Sequence, residues 1–182
     1  MCVVGAGSWG TTVASLVAHN AETTLWARRD DLVDEINSRH TNSAYLPSAT
    51  LPDTLRASSD LDALIAAADV VAMAVPSQGF RDVATRVATS IGATTPVVSL
   101  SKGLERSTLM RMSQVLEESM PGRPVAVLSG PNLAREILAG QPAASVIACA
   151  DDAVATTLQQ LFSRPTFRLY TNPDVVGCEI GG

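Results

Sequence analysis

The chain has 182 residues, 46% hydrophobic and 17% charged, which suffices for one sizeable core and excludes disorder over most of its length. Thirteen Lys and Arg against 18 Asp and Glu give a net charge of -5 with no basic block. This argues against a nucleic-acid surface, while a local anion site built from backbone N–H groups stays compatible with it.

Apolar runs and helical patterns then alternate along the chain. MCVV, residues 1–4, is a short opening strand leading into Gly5-Ala6-Gly7-Ser8-Trp9-Gly10. Over 8–19, Val13, Leu16 and Val17 fall at helical spacing. Residues 22–27, ETTLWA, read as a second strand, and DDLVDEINSRH, 30–40, as a helix with two carboxylates in its first turn. The segment 41–52 is rich in turn residues, and Pro47 and Pro52 limit any helix there. A third strand is expected over 55–59, followed by a helix in LDALIAAA capped by Asp60. VVAMAV, 70–75, is the continuous apolar run that a strand covered on both faces requires. Pro76 ends it, and Ser77 is the expected cap of a helix carrying Phe80, Val83, Ala84 and Val87. PVVSLSKG, 96–103, repeats the buried strand and polar loop, with a helix expected over 107–119 and a strand over 125–128. SVIACA, the helical DDAVATTLQQLF and the strand FRLYT at 167–171 complete the series. The alternation predicts an α/β fold with a mainly parallel sheet covered by helices on both faces.

The sharpest local signal is the G-x-G-x-x-G between the first strand and first helix. Gly5 permits the tight turn, Gly7 lets a pyrophosphate approach the backbone, and Gly10 allows close helix–strand contact. Ser8 and Trp9 sit in the turn with N–H groups available to a phosphate. The Trp9 ring either covers a dinucleotide or fills the sheet edge, and its position in the sequence fits both. The fold is therefore expected to be Rossmann-like, with residues 1–172 as a dinucleotide-binding domain. At the end of the second strand, where an NAD-selective site presents Asp or Glu, stand Arg28 and Arg29. Two guanidiniums suit a 2′-phosphate and favour NADPH over NADH. The alternative is two solvated arginines offset by Asp30 and Asp31.

Three loops at the strand ends carry the remaining candidates. AVPSQGF, 74–80, is shaped by Pro76 and should lie near the cofactor's centre, or else is an ordinary strand–helix joint. SLSKG holds Lys102, the sole lysine, placed to bind a substrate oxygen or phosphate unless it is a surface ammonium. SGPNLA, 129–134, sets Gly130 and Pro131 before a helix N-terminus. His19 and His40 pair with no Ser or Cys by spacing, and Ser8, Ser77 and Ser129 lack the G-x-S-x-G elbow, so hydrolase chemistry has no support. Cys2, Cys149 and Cys178 have no metal-ligand spacing and read as small buried hydrophobes. With no signal peptide they suggest a reducing cytoplasmic setting, and no apolar run is long enough for membrane insertion.

GAGSWGTTVA, LWARR, NSAYLP, AVPSQGFR, SKGLE, SGPNLAREI and GCEIGG, in that order, resemble the N-terminal cofactor-binding domain of bacterial NAD(P)-dependent glycerol-3-phosphate dehydrogenase. The resemblance implies cytoplasmic interconversion of dihydroxyacetone phosphate and sn-glycerol 3-phosphate for phospholipid synthesis. It implies NADPH or NADH as cofactor, a small phosphorylated substrate, and a homodimer for the complete enzyme. By resemblance Ser8, Trp9, Arg28, Arg29 and Ala134 contact cofactor, and Lys102 contacts both cofactor and substrate. Gly130 and Asn132 line the substrate side; the family usually carries Ser or Thr at the latter position, and Asn keeps a donor and an acceptor. The family's general acid/base lysine would lie three residues past Gly182, so the resemblance implies no catalytic residue within these 182 and weak or no turnover by them. Residues 173–182 then read as the start of a helical substrate domain, packed loosely, with Val175, Val176 and Ile180 exposed. The competing readings are a related β-hydroxyacid or ketopantoate-type dehydrogenase, against which SKG and SGPNLA argue, and a non-catalytic dinucleotide-binding or sensor module.

Overall fold

Short strands set the architecture, the central ones aliphatic and buried along their length. A computed structural model describes residues 1–182. The strands are β1 (Cys2–Val4), β2 (Thr24–Trp26), β3 (Arg56–Ser58), β4 (Val71–Met73), β5 (Val97–Ser99), β6 (Val125–Ser129), β7 (Ala143–Cys149) and β8 (Phe167–Asn172). The helices are α1 (Ser8–Val17), α2 (Asp30–Arg39), α3 (Leu61–Ala66), α4 (Phe80–Ala88), α5 (Met112–Ser119), α6 (Ala134–Leu138), α7 (Asp152–Phe162) and α8 (Val175–Gly181). Every residue of β1, β4 and β5 is buried. Alternation along β1 sends Val3 into one core, with Val13, Leu25 and Phe162, and Cys2 and Val4 into the other, with Met73, Phe80 and Leu116. Phe80, Phe162 and Phe167 are all fully buried, each contributing about 1.5–3 kcal/mol of apolar burial.

The sheet order is β3-β2-β1-β4-β5-β6-β7-β8. The chain winds one way through β1, β2 and β3 and then the other way from β4 to β6, all in parallel. The strand order therefore reverses between β1 and β4, where the loops following both open a crevice at the carboxyl ends. β7 runs antiparallel to β6, with Ala126 opposite Cys149 and Ser129 opposite Val146, and β8 is parallel to β7. An apolar run carries no direction, so its sequence gives no sign of this reversal. Its cause is the connection: five-residue α6 rises only about 8 Å at ~1.5 Å per residue, too little to recross the sheet.

Asp60 caps α3 as expected, accepting from the Ala63 N–H at 3.1 Å. Asp151 does the same for α7. Three expectations need correction. Ser77 caps no helix: Ser77–Gly79 form a 3₁₀ turn and α4 starts at Phe80. α1 stops at Val17, because Ala18 to Asn20 turn away and the Asn20 amide is held by the Leu161 and Ser163 carbonyls. Residues 107–111 are not helical, because Glu105 gathers them into a loop closed by a Leu104–Arg111 bridge and Leu109 takes a φ of 60°. Helix α5 begins only at Met112.

The final segment also departs from expectation. Val176 and Ile180 are exposed, at 47% and 74%, and Val175 is half-buried. Yet α8 is firmly docked. Glu179 accepts from Arg111 Nη1 at 2.5 Å and from the Ser113 N–H at 2.9 Å, and the Ser113 hydroxyl also reaches it. This carboxylate, 8% exposed, sits on the first turn of α5, where the helix field favours an anion. The result delivers Gly182 beside Ser129 and Lys102.

Candidate functional site

The turn after β1 is built from glycines that serve different ends. Gly5 has a φ of 115°, and a Cβ there would lie 2.5 Å from the Ala74 carbonyl oxygen. A Cβ on Gly10 would overlap the Gly5 carbonyl oxygen and come within 2.9 Å of Ala74 Cβ. The fold itself demands both. Gly7 has an ordinary φ of -72°, and a Cβ added there meets nothing within 4 Å. Its side-chain space opens outward. Helix α1 has no side-chain cap and no acidic residue in its first turn. The Ser8, Trp9 and Gly10 N–H groups find no acceptor within the chain. A bare helix N-terminus beneath an unfilled glycine is a cradle for a diphosphate. Asn42, fully buried, braces it by donating to the Ala6 carbonyl at 3.0 Å and to Thr11 Oγ1 at 2.8 Å.

This turn forms the floor of a cleft of about 540 Å³, walled by Arg28 and Arg29 after β2, Tyr45, Pro76 after β4, and Lys102 after β5. Trp9 is half-buried and lines the cleft while its edge packs on Phe167, ring centroids 6.5 Å apart at 70°. The two arginines differ. Arg29 forms an ion pair with Asp31 that raises its pKa, whereas Arg28 is exposed with no ionic partner. Arg28 is free to meet an anion; Arg29 would first have to leave Asp31.

Lys102 stands where the cleft meets a second recess of about 470 Å³, lined by Ser129, Gly130, Cys178 and Gly182. Its Nζ donates to the Gly130 carbonyl at 3.0 Å and the Gly182 carbonyl at 2.7 Å. The structure thus brings Lys102 and Gly130 together. Asn132 and Ala134 line neither cavity. Asn132 Oδ1 accepts from Ser145 Oγ at 2.6 Å, and the Ala134 carbonyl faces Thr12 Oγ1 at 3.5 Å. Cys2 and Cys149 are buried, but Cys178 is only half so because it faces the recess. Asn42 and Tyr45 were not singled out as site residues by sequence; their only signal is membership of the NSAYLP segment.

Arg81 and Glu105 join the loops after β4 and β5. Arg81 Nε and Nη2 reach Glu105 Oε1 and Oε2 at 2.8 and 2.9 Å. These bonds, with a further one from Thr108, pull the Glu105 carboxyl from its ordinary 4.5 to about 2. Because the folded value lies below the unfolded one, the stability this pair adds is full above pH 4.5 and is lost as pH falls toward the folded value. Glu105→Gln should lower stability near neutrality and flatten the acid decline below pH 4.5, read from urea denaturation across that range. An unchanged acid slope would show that Glu105 does not contribute to it.

A doubly wound sheet with a glycine turn and an uncapped helix N-terminus at its switch point defines a nucleotide-binding α/β domain. The chain belongs to the family described as NAD-dependent glycerol-3-phosphate dehydrogenase N-terminus, whose model matches residues 1–155. It is 52% identical over 180 residues to glycerol-3-phosphate dehydrogenase [NAD(P)+] 2 of Sphingopyxis alaskensis, covering 99% of this chain and 54% of that protein. The Mycobacterium avium glycerol-3-phosphate dehydrogenase [NAD(P)+] is 51% identical over 181 residues, covering 99% and 53%. The crystal structure of glycerol-3-phosphate dehydrogenase from Coxiella burnetii superposes with a TM-score of 0.93 at 34% identity, covering 100% of this chain and 56% of that one. The chain spans about half the length of the curated relatives it matches. No helix is long and apolar enough to cross a membrane.

Proposed function

We propose that this chain is the dinucleotide-binding part of an NAD(P)-dependent enzyme interconverting dihydroxyacetone phosphate and sn-glycerol 3-phosphate, acting in the cytoplasm and feeding glycerophospholipid synthesis. The observation that carries the reading is the open Gly7 cradle and bare α1 N-terminus, sharing one cleft with Arg28 and Lys102. The residues fit the cofactor: three free amides and an unpaired guanidinium suit its phosphates. Gly5, Gly7, Ser8, Trp9 and Gly10 form its diphosphate floor. Arg28 and Arg29 meet the adenosine end, Pro76 and Lys102 the other, with Ala134 at the margin. When bound, the nicotinamide supplies or accepts the hydride.

Lys102 and Gly130 serve the substrate, with Asn132 seated behind them on Ser145. The Lys102 ammonium already lies among oxygen acceptors, so a substrate oxygen can replace a carbonyl there and have its developing charge stabilised. Residues 173–182 are read as the start of a helical substrate domain, and the longer enzyme as a homodimer. Calorimetric titration with NADPH and NADH tests the reading, and no binding of either would overturn it. Steady-state NADPH oxidation with dihydroxyacetone phosphate should be slow for this polypeptide. The only lysine among these residues is engaged by two carbonyls, and proton transfer lost in that way costs about 10²- to 10⁴-fold. Turnover comparable to that of a full-length relative would instead assign proton donation to Lys102.

A further inference from the structure

The loops after β4 and β5 are separated by more than twenty residues, yet they are laced into one body by three independent ties. Ser101 Oγ donates to the Val75 carbonyl at 2.6 Å. Gln78 Nε2 donates to the Leu104 carbonyl at 3.0 Å. Arg81, at the start of α4, grips Glu105 with both arms of its guanidinium and reaches Glu118 Oε2 at 2.7 Å. The Glu105 side chain is only 11% exposed and that of Arg81 31%, so water competes weakly for the pair. Glu105 also organises its own loop: Thr108 Oγ1 donates to it, and its backbone N–H and carbonyl bond to Met110 and Leu109. Between these ties lies Lys102, followed by Gly103 with a φ of 104°, where a Cβ would come within 3.3 Å of Ser77 Oγ. The base of the Lys102 side chain is therefore fixed by the partner loop, while its tip reaches Gly130 and Gly182.

We propose that Arg81 and Glu105 are positioning residues, which touch no ligand themselves but set Lys102 and Pro76 as one rigid wall against the nicotinamide half of a bound dinucleotide. The inference rests on the dinucleotide reading above. It goes beyond that reading by assigning the two ends of the cleft to separate supports. The adenosine end stands on β1, β2 and α1, and no hydrogen bond or ion pair joins its residues to the Arg81–Glu105 clamp. A bidentate guanidinium–carboxylate pair fixes orientation as well as distance, which is what a wall presenting an ammonium needs.

The test titrates the parent chain, Glu105→Gln and Arg81→Ala with NADPH and with adenosine 2′,5′-bisphosphate, which fills the adenosine end alone. The clamp predicts NADPH weakened about tenfold and the bisphosphate changed by less than about twofold, since couplings of this size are typical within one ion-pair network. Equal weakening of both ligands, or of neither, overturns the proposal; a merely structural role would move both together with the melting temperature. Near-isosteric Glu105→Gln carries the test if Arg81→Ala does not fold.

A second readout needs no dinucleotide. Lys102 is the sole lysine, so reductive ¹³C-methylation gives one lysine resonance besides that of the Met1 amine. In Glu105→Gln the Lys102 resonance should shift or broaden and the Met1 resonance should not. An unmoved Lys102 resonance overturns the clamp. If the parent binds neither ligand, the dinucleotide reading fails and this resonance alone decides whether Arg81 and Glu105 set Lys102.

Discussion

Gly10→Ala should destabilise the fold, and Gly7→Ala should leave the fold standing but empty the cleft. The two glycines lie three residues apart in one turn, and only their surroundings distinguish them. A methyl on Gly10 would enter the Gly5 carbonyl oxygen and crowd Ala74. Neither neighbour is a flexible side chain that can swing aside. Overpacking a close contact typically costs about 1–3 kcal/mol, and a clash with backbone belongs at the upper end, against a total stability of ~5–15 kcal/mol. Gly7 has a φ open to any residue and free space around it, so Ala there should cost under about 1 kcal/mol through the weaker N-cap. That methyl would stand where a phosphate must approach, and a displacement near 1 Å costs on the order of a hundredfold in a well-fitted site. Urea denaturation and calorimetric titration of both variants make the comparison. If Gly7→Ala binds NADPH like the parent, the cradle is not a phosphate site.

Arg28→Ala should weaken NADPH about 10- to 100-fold, the loss expected for hydrogen bonds to a charged group, and leave NADH nearly unchanged. Arg28 borders the cleft without an ionic partner, whereas Arg29 is already committed to Asp31. Arg29→Ala should therefore have the smaller effect, because engaging a phosphate would require breaking an existing pair. The Arg28 effect should shrink as salt rises, since screening weakens exposed charge pairs. Equal losses for NADPH and NADH would mean that Arg28 does not read a 2′-phosphate.

Most of the layout was legible because two periodicities recorded it. VVAMAV could only be a strand covered on both faces, and Leu32 and Ile36 are the two buried positions of α2. The glycine turn could be assigned because each of its glycines answers a separate demand: a positive φ at Gly5, space at Gly10 and an open approach at Gly7. Long-range polar contacts were not legible, since a carboxylate in sequence does not name its partner. Nothing local in the sequence marks Glu105, whose bonds to Thr108, Leu109 and Met110 keep residues 107–111 out of α5. Glu179 looked like part of a loose tail, and its bonds to Arg111 and Ser113 are why α8 is docked. Asn42 braces the turn from 31 positions beyond Thr11, a distance at which no local pattern operates. The candidate site was readable in its glycines, Arg28 and Lys102. The seating of Asn132 against Ser145 depended on the unforeseen reversal of β7, which sets Ser145 beside the loop that follows β6.

The scarcity of aromatic residues has an optical consequence. The chain contains two tryptophans, and they occupy unlike surroundings. Trp26 is 6% exposed, and its indole N–H is tied to the Ser59 carbonyl at 3.0 Å. Trp9 is half-buried at the mouth of the same crevice, edge-on to Phe167. The first indole emits from a dry and fixed setting, the second from one that any occupant would alter. A reduced nicotinamide absorbs where indoles emit, so energy transfer would dim this protein's fluorescence as the crevice fills. Trp9→Phe would separate the two contributions by leaving Trp26, which lines the same cleft, as the sole emitter. The molecule thus carries its own gauge of occupancy, and no dye need be attached near Lys102 or Cys178, where it would obstruct what it was meant to observe.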